Sequence, residues 1–358
     1  MKESSKFNLR LLAFEVTKAC NLACKHCRAT AQLLPSEDQL SFDEAKELIK
    51  DLPKTGDPII IFTGGEALLR EDIFDLIEFA YSCKIKSVLS SNGTVIDKKI
   101  AEKIKNSPLK RVAISLDGHN KKLHDDLRGV EGAFERALEG INYLKEKNVP
   151  FQINTTITKS NMNYLLDMYK FVESIGAVAW HIFLLVPTGR GKELKEEIVS
   201  SQDYERILNL FYDLRKKSKL QFKATCAPQF YRILRERARE ENLKVDFKTF
   251  GLDAVTRGCL GGISFCFVSH NGIVQPCGYL ELNCGNIRER DFYSIWKESE
   301  IFNILRDYSK YKGKCGKCEY IKVCGGCRAR AYYIKGDFLE EEPLCPYIPK
   351  GIRNGRDR

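Results

Sequence analysis

No apolar run in this 358-residue chain approaches the ~18 residues that a membrane-spanning helix needs; stretches such as Ile59–Phe62 and Ile182–Val186 are among the longest. No membrane span is therefore expected. The opening residues, Met1 to Val16, set Lys2, Glu3, Lys6 and Arg10 around a short apolar run without a small-residue cleavage site. They read as no signal peptide, and the expected location is cytoplasmic. A long internal repeat, a low-complexity linker and a Pro/Ser-rich tether are also missing. With 43 % apolar and 30 % charged residues, the composition excludes a disordered chain and a collagen-like one. Nothing resembles a DNA-recognition helix, a finger or an aromatic platform for single strands, so nucleic acid is not an expected partner. The 58 basic residues outnumber the 48 acidic ones, a net charge of +10. Because Lys and Arg are mixed with Glu along helical stretches, most of this excess reads as solvated helix faces. The other reading is a basic pocket for an anionic ligand.

What the chain does have is cysteine. Fourteen residues fall short of the ~8–10 % typical of disulfide scaffolds, and without a secretory signal they read as metal ligands or catalytic groups. The length suggests about two domains. In the first half, short β-branched or apolar runs (Leu11–Val16, Pro58–Thr63, Lys86–Ser90, Arg111–Leu116, Phe151–Ile157 and Val178–Val186) alternate with helical patterns starting near Ser41, Arg70, Asp97, Gly132 and Asn161. Ser41 and Glu44 form a capping box. This alternation predicts an α/β fold with a parallel, barrel-like or open sheet, whose chemistry sits at the C-terminal ends of the strands. The period breaks near residue 200. Helical segments Gln202–Lys217 and Pro228–Asn242 frame the run Leu220–Thr225, and cysteine-rich turns follow. The expected organisation is a core at 1–200, a helical connection at 201–250, a cysteine-rich domain at 251–350 and a tail at 351–358.

Directly after the first strand stands Cys20-Asn-Leu-Ala-Cys24-Lys-His-Cys27. At this cysteine frequency such a triple arises by chance roughly 0.02 times per chain. Three thiolates leave a tetrahedral zinc site one ligand short, whereas a 4Fe–4S cluster held by three cysteines keeps one iron open. Motifs of glycine, carboxylate and amide close the following strands: Thr63-Gly64-Gly65-Glu66, Ser90-Ser91-Asn92-Gly93 and Ser115-Leu116-Asp117-Gly118. Arg128 follows in His124-Asp-Asp-Leu-Arg128-Gly129, then Asn154 and Thr156, then Pro187-Thr-Gly-Arg190.

The cysteine spacing and the order of these motifs resemble the radical S-adenosylmethionine (SAM) superfamily. The resemblance covers roughly residues 10–190 and implies a partial (β/α)6 TIM-like barrel. It implies a 4Fe–4S cluster on Cys20, Cys24 and Cys27, its open iron chelated by the amino and carboxylate groups of SAM. His26 matches the position that contacts adenine. Gly64 and Gly65 allow close approach, Glu66 suits the SAM ammonium, and Arg128 pairs with the SAM carboxylate. Ser90, Asn92, Ser115, Asp117, Asn154, Thr156 and Arg190 complete the implied cofactor contacts. The implied chemistry is reductive cleavage of SAM to methionine and a 5′-deoxyadenosyl radical, in a site that positions substrate and excludes solvent.

Near the C-terminus, Cys315-x2-Cys318-x5-Cys324-x2-Cys327 and then Cys345 form a second group. By spacing alone, zinc and iron–sulfur both fit. The stretch resembles the SPASM extension of radical SAM enzymes, with Cys259 and Cys277 fitting its upstream part. That pattern usually places three residues inside the last close pair, where this chain has two. The resemblance implies an auxiliary 4Fe–4S cluster, most simply on Cys315, Cys318, Cys324 and Cys345. A second stays open on Cys259, Cys277 and Cys327, completed by Cys266 or Cys284. Cys83 reads as a buried structural thiol and Cys226 as a loop residue.

Four further stretches, Trp180–Gly191, Lys223–Pro228, Gln275–Leu280 and Cys324–Tyr332, resemble the haem b synthases, which are Fe-coproporphyrin III decarboxylases. This implies an anionic tetrapyrrole substrate, with Arg128, Arg190, Arg328 and Arg330 as cations near its propionates. The radical would take a β-hydrogen from a propionate; carbon dioxide then leaves, a vinyl group forms, and one electron passes to an acceptor such as the auxiliary cluster. A second SAM would convert a second propionate and complete haem b. An external donor such as ferredoxin or flavodoxin is implied. Arg28 stands where relatives acting on haem d1 precursors or didecarboxysiroheme more often have an aromatic residue, and Gln229 stands where the synthases have histidine after Cys-Ala-Pro. His181 is the best of the five histidines for an axial iron ligand, beside the plainer reading of a satisfied barrel histidine. Alternatives are those related tetrapyrrole enzymes and a peptide-modifying SPASM maturase, although no separate peptide-recognition domain precedes the first strand. An iron–sulfur carrier or zinc-stabilised binding module explains the cysteines but not the ordered SAM motifs.

Overall fold

The computed structural model describes residues 7–353; residues 1–6, and 354–358 of the expected tail, lie outside the described residues. Its frame is one ten-stranded sheet. The strands are β1 (Leu9–Glu15), β2 (Gly56–Thr63), β3 (Lys86–Ser91), β4 (Val112–Ser115), β5 (Phe151–Ile157), β6 (Ala179–Leu184), β7 (Gln221–Thr225), β8 (Phe265–Val268), β9 (Ile273–Gln275) and β10 (Gly285–Asn286). Their order is β10-β9-β8-β1-β2-β3-β4-β5-β6-β7. Every pairing from β8 through β1 to β7 is parallel, and β8–β9 and β9–β10 are antiparallel. Helices α1 (Phe42–Asp51), α2 (Ile73–Ser82), α3 (Lys98–Asn106), α4 (Lys121–Arg128), α5 (Ala133–Glu146) and α6 (Leu165–Ser174) make the crossovers between β1 and β6. α7 (Ser201–Lys217) and α8 (Phe230–Glu240) flank β7.

The side-chain period of two decides which face is which. In β5, Phe151, Ile153, Thr155 and Ile157 are buried while Gln152, Asn154 and Thr156 are half-buried. The buried set joins Leu12, Phe14, Ile60, Phe62 and Leu89 under the helices, in the main core. The other set, continued by Ala13, Ile61, Val88, His181 and Lys223, stays half-buried on the inner, concave face. The expected capping box is present: Ser41 Oγ accepts from Glu44 N at 3.2 Å, and the Glu44 carboxylate accepts from Ser41 N at 2.7 Å.

The parallel run is longer than the six strands the sequence predicts. β7 pairs with β6, and β8, from the cysteine-rich segment, pairs with β1 through Leu12↔Cys266 and Phe14↔Val268. Without β8, β1 would be an edge with a row of unsatisfied amides and carbonyls. Its apolar Phe-Cys-Phe-Val run covers that edge and so binds the cysteine-rich segment to the barrel. The sequence reading also passed over α4, whose polar residues hide its period. Asn120 caps α4, its side chain accepting from Leu123 N at 3.1 Å. The helix ends at Gly129, whose φ is +69° and where a Cβ would lie 2.5 Å from Ala23 O. That close approach seats Arg128 against the first cysteine loop.

Candidate active site

The first cysteine loop leaves the C-terminal end of β1. Cys20 and Cys24 are buried and Cys27 is half-buried. N–H groups point at their sulfurs: Leu22 N to Cys20 Sγ at 3.4 Å, Ala31 N to Cys27 Sγ at 3.5 Å, and Arg128 Nη1 to Cys24 Sγ at 3.7 Å. Asn92 Nδ2 reaches Cys20 Sγ at 3.9 Å. Burial pushes the Cys20 thiol up to about 11 and raises Cys24 as well. Apolar surroundings keep such thiols neutral until a metal displaces the proton.

Gly64 and Gly65 run alongside this loop. Gly65 N donates to Thr17 O and Glu66 N to Ala19 O, both at 2.7 Å. A Cβ at Gly64 would lie 2.6 Å from Thr17 O, and one at Gly65 only 2.3 Å from Ala19 O. The close approach the glycines permit here is thus to the loop's own backbone. Glu66 is fully buried; its carboxylate accepts from Asn92 N at 2.7 Å and Leu68 N at 3.2 Å. Burial raises its pKa.

Beside the loop lies a charged knot. Arg128 Nη2 meets Asp117 Oδ2 at 2.7 Å, and His26 Nε2 is 3.7 Å from the same oxygen. Asp117 Oδ1 accepts from Thr156 N at 2.7 Å, and Asp117 N donates to His124 Nδ1 at 3.1 Å. Burial alone would raise Asp117, but Arg128 with His26 and His124 holds its carboxyl below the ordinary range. Burial drives His26 down to about 4, so the ring is neutral near pH 7. Arg190 clasps the loop from the far side: its Nε donates to Cys24 O at 2.8 Å, its Nη1 to Ala31 O at 2.9 Å, and its backbone N to Cys27 O at 3.0 Å.

Ser90, Ser115, Asn154 and Thr156 stand on the half-buried inner face at or near their strand ends. His181 shares that face, its Nδ1 3.1 Å from Gln152 Nε2. Burial, with Lys223 and Arg111 nearby, pushes it down to about 3. Sequence reasoning missed Glu15, at the end of β1. Its carboxylate takes Arg28 Nη1 at 2.8 Å and lies 3.0 Å from His270 Nδ1, while the Arg28 guanidinium sits 4.3 Å over the Phe267 ring. This network fastens the cysteine loop to β8.

The expectation that four arginines stand open to propionates is not met. Arg330 pairs with Glu342 at 3.1 Å, both side chains fully buried, and donates to the carbonyls of Leu184, Leu185 and Cys226. Arg328 donates to Phe338 O and Glu340 O, and Arg128 and Arg190 are committed as above. A chain that buries so many cations uses internal carbonyls and carboxylates to neutralise them, which composition does not reveal. Cys83 is also not deeply buried: it caps the end of α2, half-exposed.

Cys315, Cys318, Cys324 and Cys345 all line one recess of about 430 Å³, counted to its open mouth. Glu342 N points at Cys315 Sγ at 3.3 Å, Arg328 Nη2 at the same sulfur at 3.5 Å, and Gly326 N at Cys324 Sγ at 3.5 Å. Burial pushes Cys345 up to about 12 and Cys324 well above its ordinary value. Cys259, Cys277 and Cys327 lie together elsewhere. Cys266 and Cys284 are apart from them, neighbours of each other and of Arg306. Among the described residues, no three His, Cys, Asp or Glu side chains meet at the spacing that would hold one metal ion.

Residues 14–172 match the radical SAM superfamily and residues 259–328 match SPASM, an iron–sulfur cluster-binding domain. Fold and site together define an enzyme of radical SAM chemistry, with a SAM-binding 4Fe–4S cluster and auxiliary clusters. The chain is 54 % identical over 341 residues to the "AdoMet-dependent heme synthase" of Nitratidesulfovibrio vulgaris, covering 95 % of this chain and 93 % of that one. It is 49 % identical over 340 residues to the protein of the same name from Methanosarcina barkeri, covering 95 % and 97 %. Among solved structures, Streptococcus suis SuiB bound to S-adenosylmethionine shares the fold at 19 % identity, with a TM-score of 0.72 over 95 % of this chain and 78 % of that one. The chain belongs to the radical SAM enzymes with a SPASM extension and, within them, to the family of these haem synthases.

The residues present fit the implied groups. Around the first loop, His26 Nδ1, Arg128 Nε and Arg190 Nη2 are buried without a hydrogen-bond partner, a cost that a ligand seated there would remove. Both thiol groups receive N–H donors, as cluster thiolates do. Among the described residues no helix is long and apolar enough to cross a membrane.

Proposed function

We propose that the protein converts Fe-coproporphyrin III to haem b by oxidative decarboxylation of two propionates. The observation that carries this reading is the likeness, at 49–54 % identity over nearly the whole chain, to relatives named as haem synthases. In the proposed site, Cys20, Cys24 and Cys27 hold the first cluster, and Cys315, Cys318, Cys324 and Cys345 an auxiliary one. When bound, the first cluster supplies the electron that cleaves SAM to methionine and a 5′-deoxyadenosyl radical.

The chain's own residues do the rest by position. Arg190 fixes the loop's carbonyls, and the Arg128–Asp117 pair keeps a buried guanidinium beside Cys24. Neutral His26 offers an apolar face with one free ring nitrogen, suited to adenine. Gly64, Gly65 and Glu66 bind the loop to β2, while Asn92, Ser90, Ser115, Asn154 and Thr156 present polar groups toward SAM from adjoining strands. A β-hydrogen passes from the propionate to the radical; the C–COO bond breaks, a vinyl group and carbon dioxide form, and one electron leaves to an acceptor. The low-potential electron comes from an external donor of the ferredoxin or flavodoxin class.

The test is anaerobic: reconstituted protein, SAM, dithionite and Fe-coproporphyrin III, with tetrapyrrole and 5′-deoxyadenosine followed by mass spectrometry. Stepwise loss of carbon dioxide plus two hydrogens, matched by deoxyadenosine, is the expected result. Deoxyadenosine with unchanged porphyrin would overturn the substrate and keep the radical chemistry.

A further inference from the structure

We infer that Gln229 and Arg232 supply hydrogen-bond donors, Nε2 and Nε, to the auxiliary iron–sulfur cluster at Cys315, Cys318, Cys324 and Cys345, and that these donors raise its reduction potential. The inference rests on the auxiliary cluster of the proposed reading and not on its tetrapyrrole. Both residues stand before the cysteine-rich segment, at the start of α8, yet both line the recess that holds the four cysteines. Gln229 is fully buried and Arg232 nearly so. Among the described residues, Gln229 Nε2 and Arg232 Nε are buried without a hydrogen-bond partner, a cost that an acceptor seated in the recess would remove. Standing three positions apart, they share one side of the helix. Arg232 N and Ile233 N both donate to Gln229 O at 3.0 Å, which fixes the two side chains to one turn.

The surrounding groups hold these two donors in place. The Gln229 side chain does not cap α8; its Oε1 accepts from Tyr204 Oη at 2.8 Å. With the carbonyl end held by a fully buried tyrosine, the amide nitrogen is the end left for the recess. The opposite orientation would aim a carbonyl oxygen at anionic sulfur, acceptor against acceptor. Arg232 places Nη1 on Glu236 Oε2 at 2.5 Å and Nη2 on Glu205 Oε1 at 2.7 Å, which leaves Nε. Its positive charge reaches the sulfurs of Cys345 and Cys318. Reduction adds negative charge to the cluster and its sulfurs. An N–H group aimed at them therefore stabilises the reduced state more than the oxidised one, and the potential rises. A raised potential favours taking an electron over giving one. That suits the single electron left when the C–COO bond of the substrate radical breaks.

The test is a potentiometric titration of anaerobically reconstituted full-length protein, followed by electron paramagnetic resonance of the reduced clusters. Iron per chain and circular dichroism check loading and folding. Cys318→Ser identifies the signal of this cluster by its loss or shift. Gln229→Met and Gln229→Leu keep the bulk and remove the donor. In both, iron is expected to stay and the midpoint of that signal to fall. At a fixed potential about tenfold less of the cluster is then reduced, which is about 59 mV for one electron. Arg232→Lys keeps the charge and loses the Nε donor, and its midpoint should fall too. Arg239→Gln, on the exposed side of α8, should keep the wild-type midpoint. A wild-type or raised midpoint in iron-replete Gln229→Met or Gln229→Leu would overturn the inference, as would an equal fall in Arg239→Gln. Unchanged iron and spectrum in Cys318→Ser would overturn it differently, by removing the cluster itself, so the two failures are told apart. None of these readouts involves the tetrapyrrole, so failure of the substrate reading shows separately.

Discussion

A single methyl group at Gly65 should disable SAM cleavage while leaving the fold standing. An alanine Cβ there would lie 2.3 Å from Ala19 O and 2.6 Å from Lys18 O, about 1 Å inside ordinary van der Waals contact. Both neighbours are backbone atoms, so no side chain can swing aside. Either the loop carrying Cys20 shifts by roughly 1 Å or the two 2.7 Å hydrogen bonds that bind it to Gly65 and Glu66 are lost. Overpacking of this kind costs about 1–3 kcal/mol, a loss of a few degrees in melting temperature for a chain this size. A displacement of ~1 Å in a reacting constellation costs about 100-fold in rate. The assay is 5′-deoxyadenosine formation with SAM and dithionite, alongside iron content and a thermal melt. Gly65→Ala is expected to slow cleavage about 100-fold and to lower the melt only slightly. Gly191→Ala lies nearby, but its methyl would meet nothing closer than 3.5 Å, so it should remain near wild type. Wild-type cleavage by Gly65→Ala, or equal losses in both variants, would show that the Gly65 contact does not hold the loop in place.

Two further outcomes follow from buried charge. Arg330→Met leaves Glu342 unpaired in a fully buried position and should cost about 3–5 kcal/mol in denaturant unfolding; adding Glu342→Gln should recover part of that loss. His181 has its pKa lowered from 6.5 to about 3, so the unfolded chain protonates first as pH falls. The stability gained by keeping His181 neutral is full above pH 6.5 and is lost toward its folded value. The stability difference between wild type and His181→Gln should therefore move by about 2 kcal/mol in favour of the variant between pH 7 and 5, and a pH-independent difference would contradict the assignment.

Much of this architecture can be read from the chain because the period of two in its strands and the Ser41 capping box are local signals. The alternation that marks β5 as buried at Phe151, Ile153 and Ile157 is visible without a structure, and so is the rule that motifs sit where strands end. What escaped the reading depends on contacts distant in sequence. Nothing local in Phe265–Val268 says that it will cover the edge of β1 rather than begin a separate sheet. The arginines misled for the same reason. A guanidinium open to a substrate and one bound to buried carbonyls, as Arg330 is to Leu184 and Leu185, look alike in a sequence.

In the proposed reaction, a propionate side chain of the tetrapyrrole gives its hydrogen atom to the radical generated at the Cys20–Cys24–Cys27 loop. Fe-coproporphyrin III deuterated at the propionate β-carbons tests it most directly, with SAM, dithionite and product analysis by mass spectrometry. One deuterium in 5′-deoxyadenosine is expected for each vinyl group formed. Unlabelled deoxyadenosine accompanying haem would contradict it.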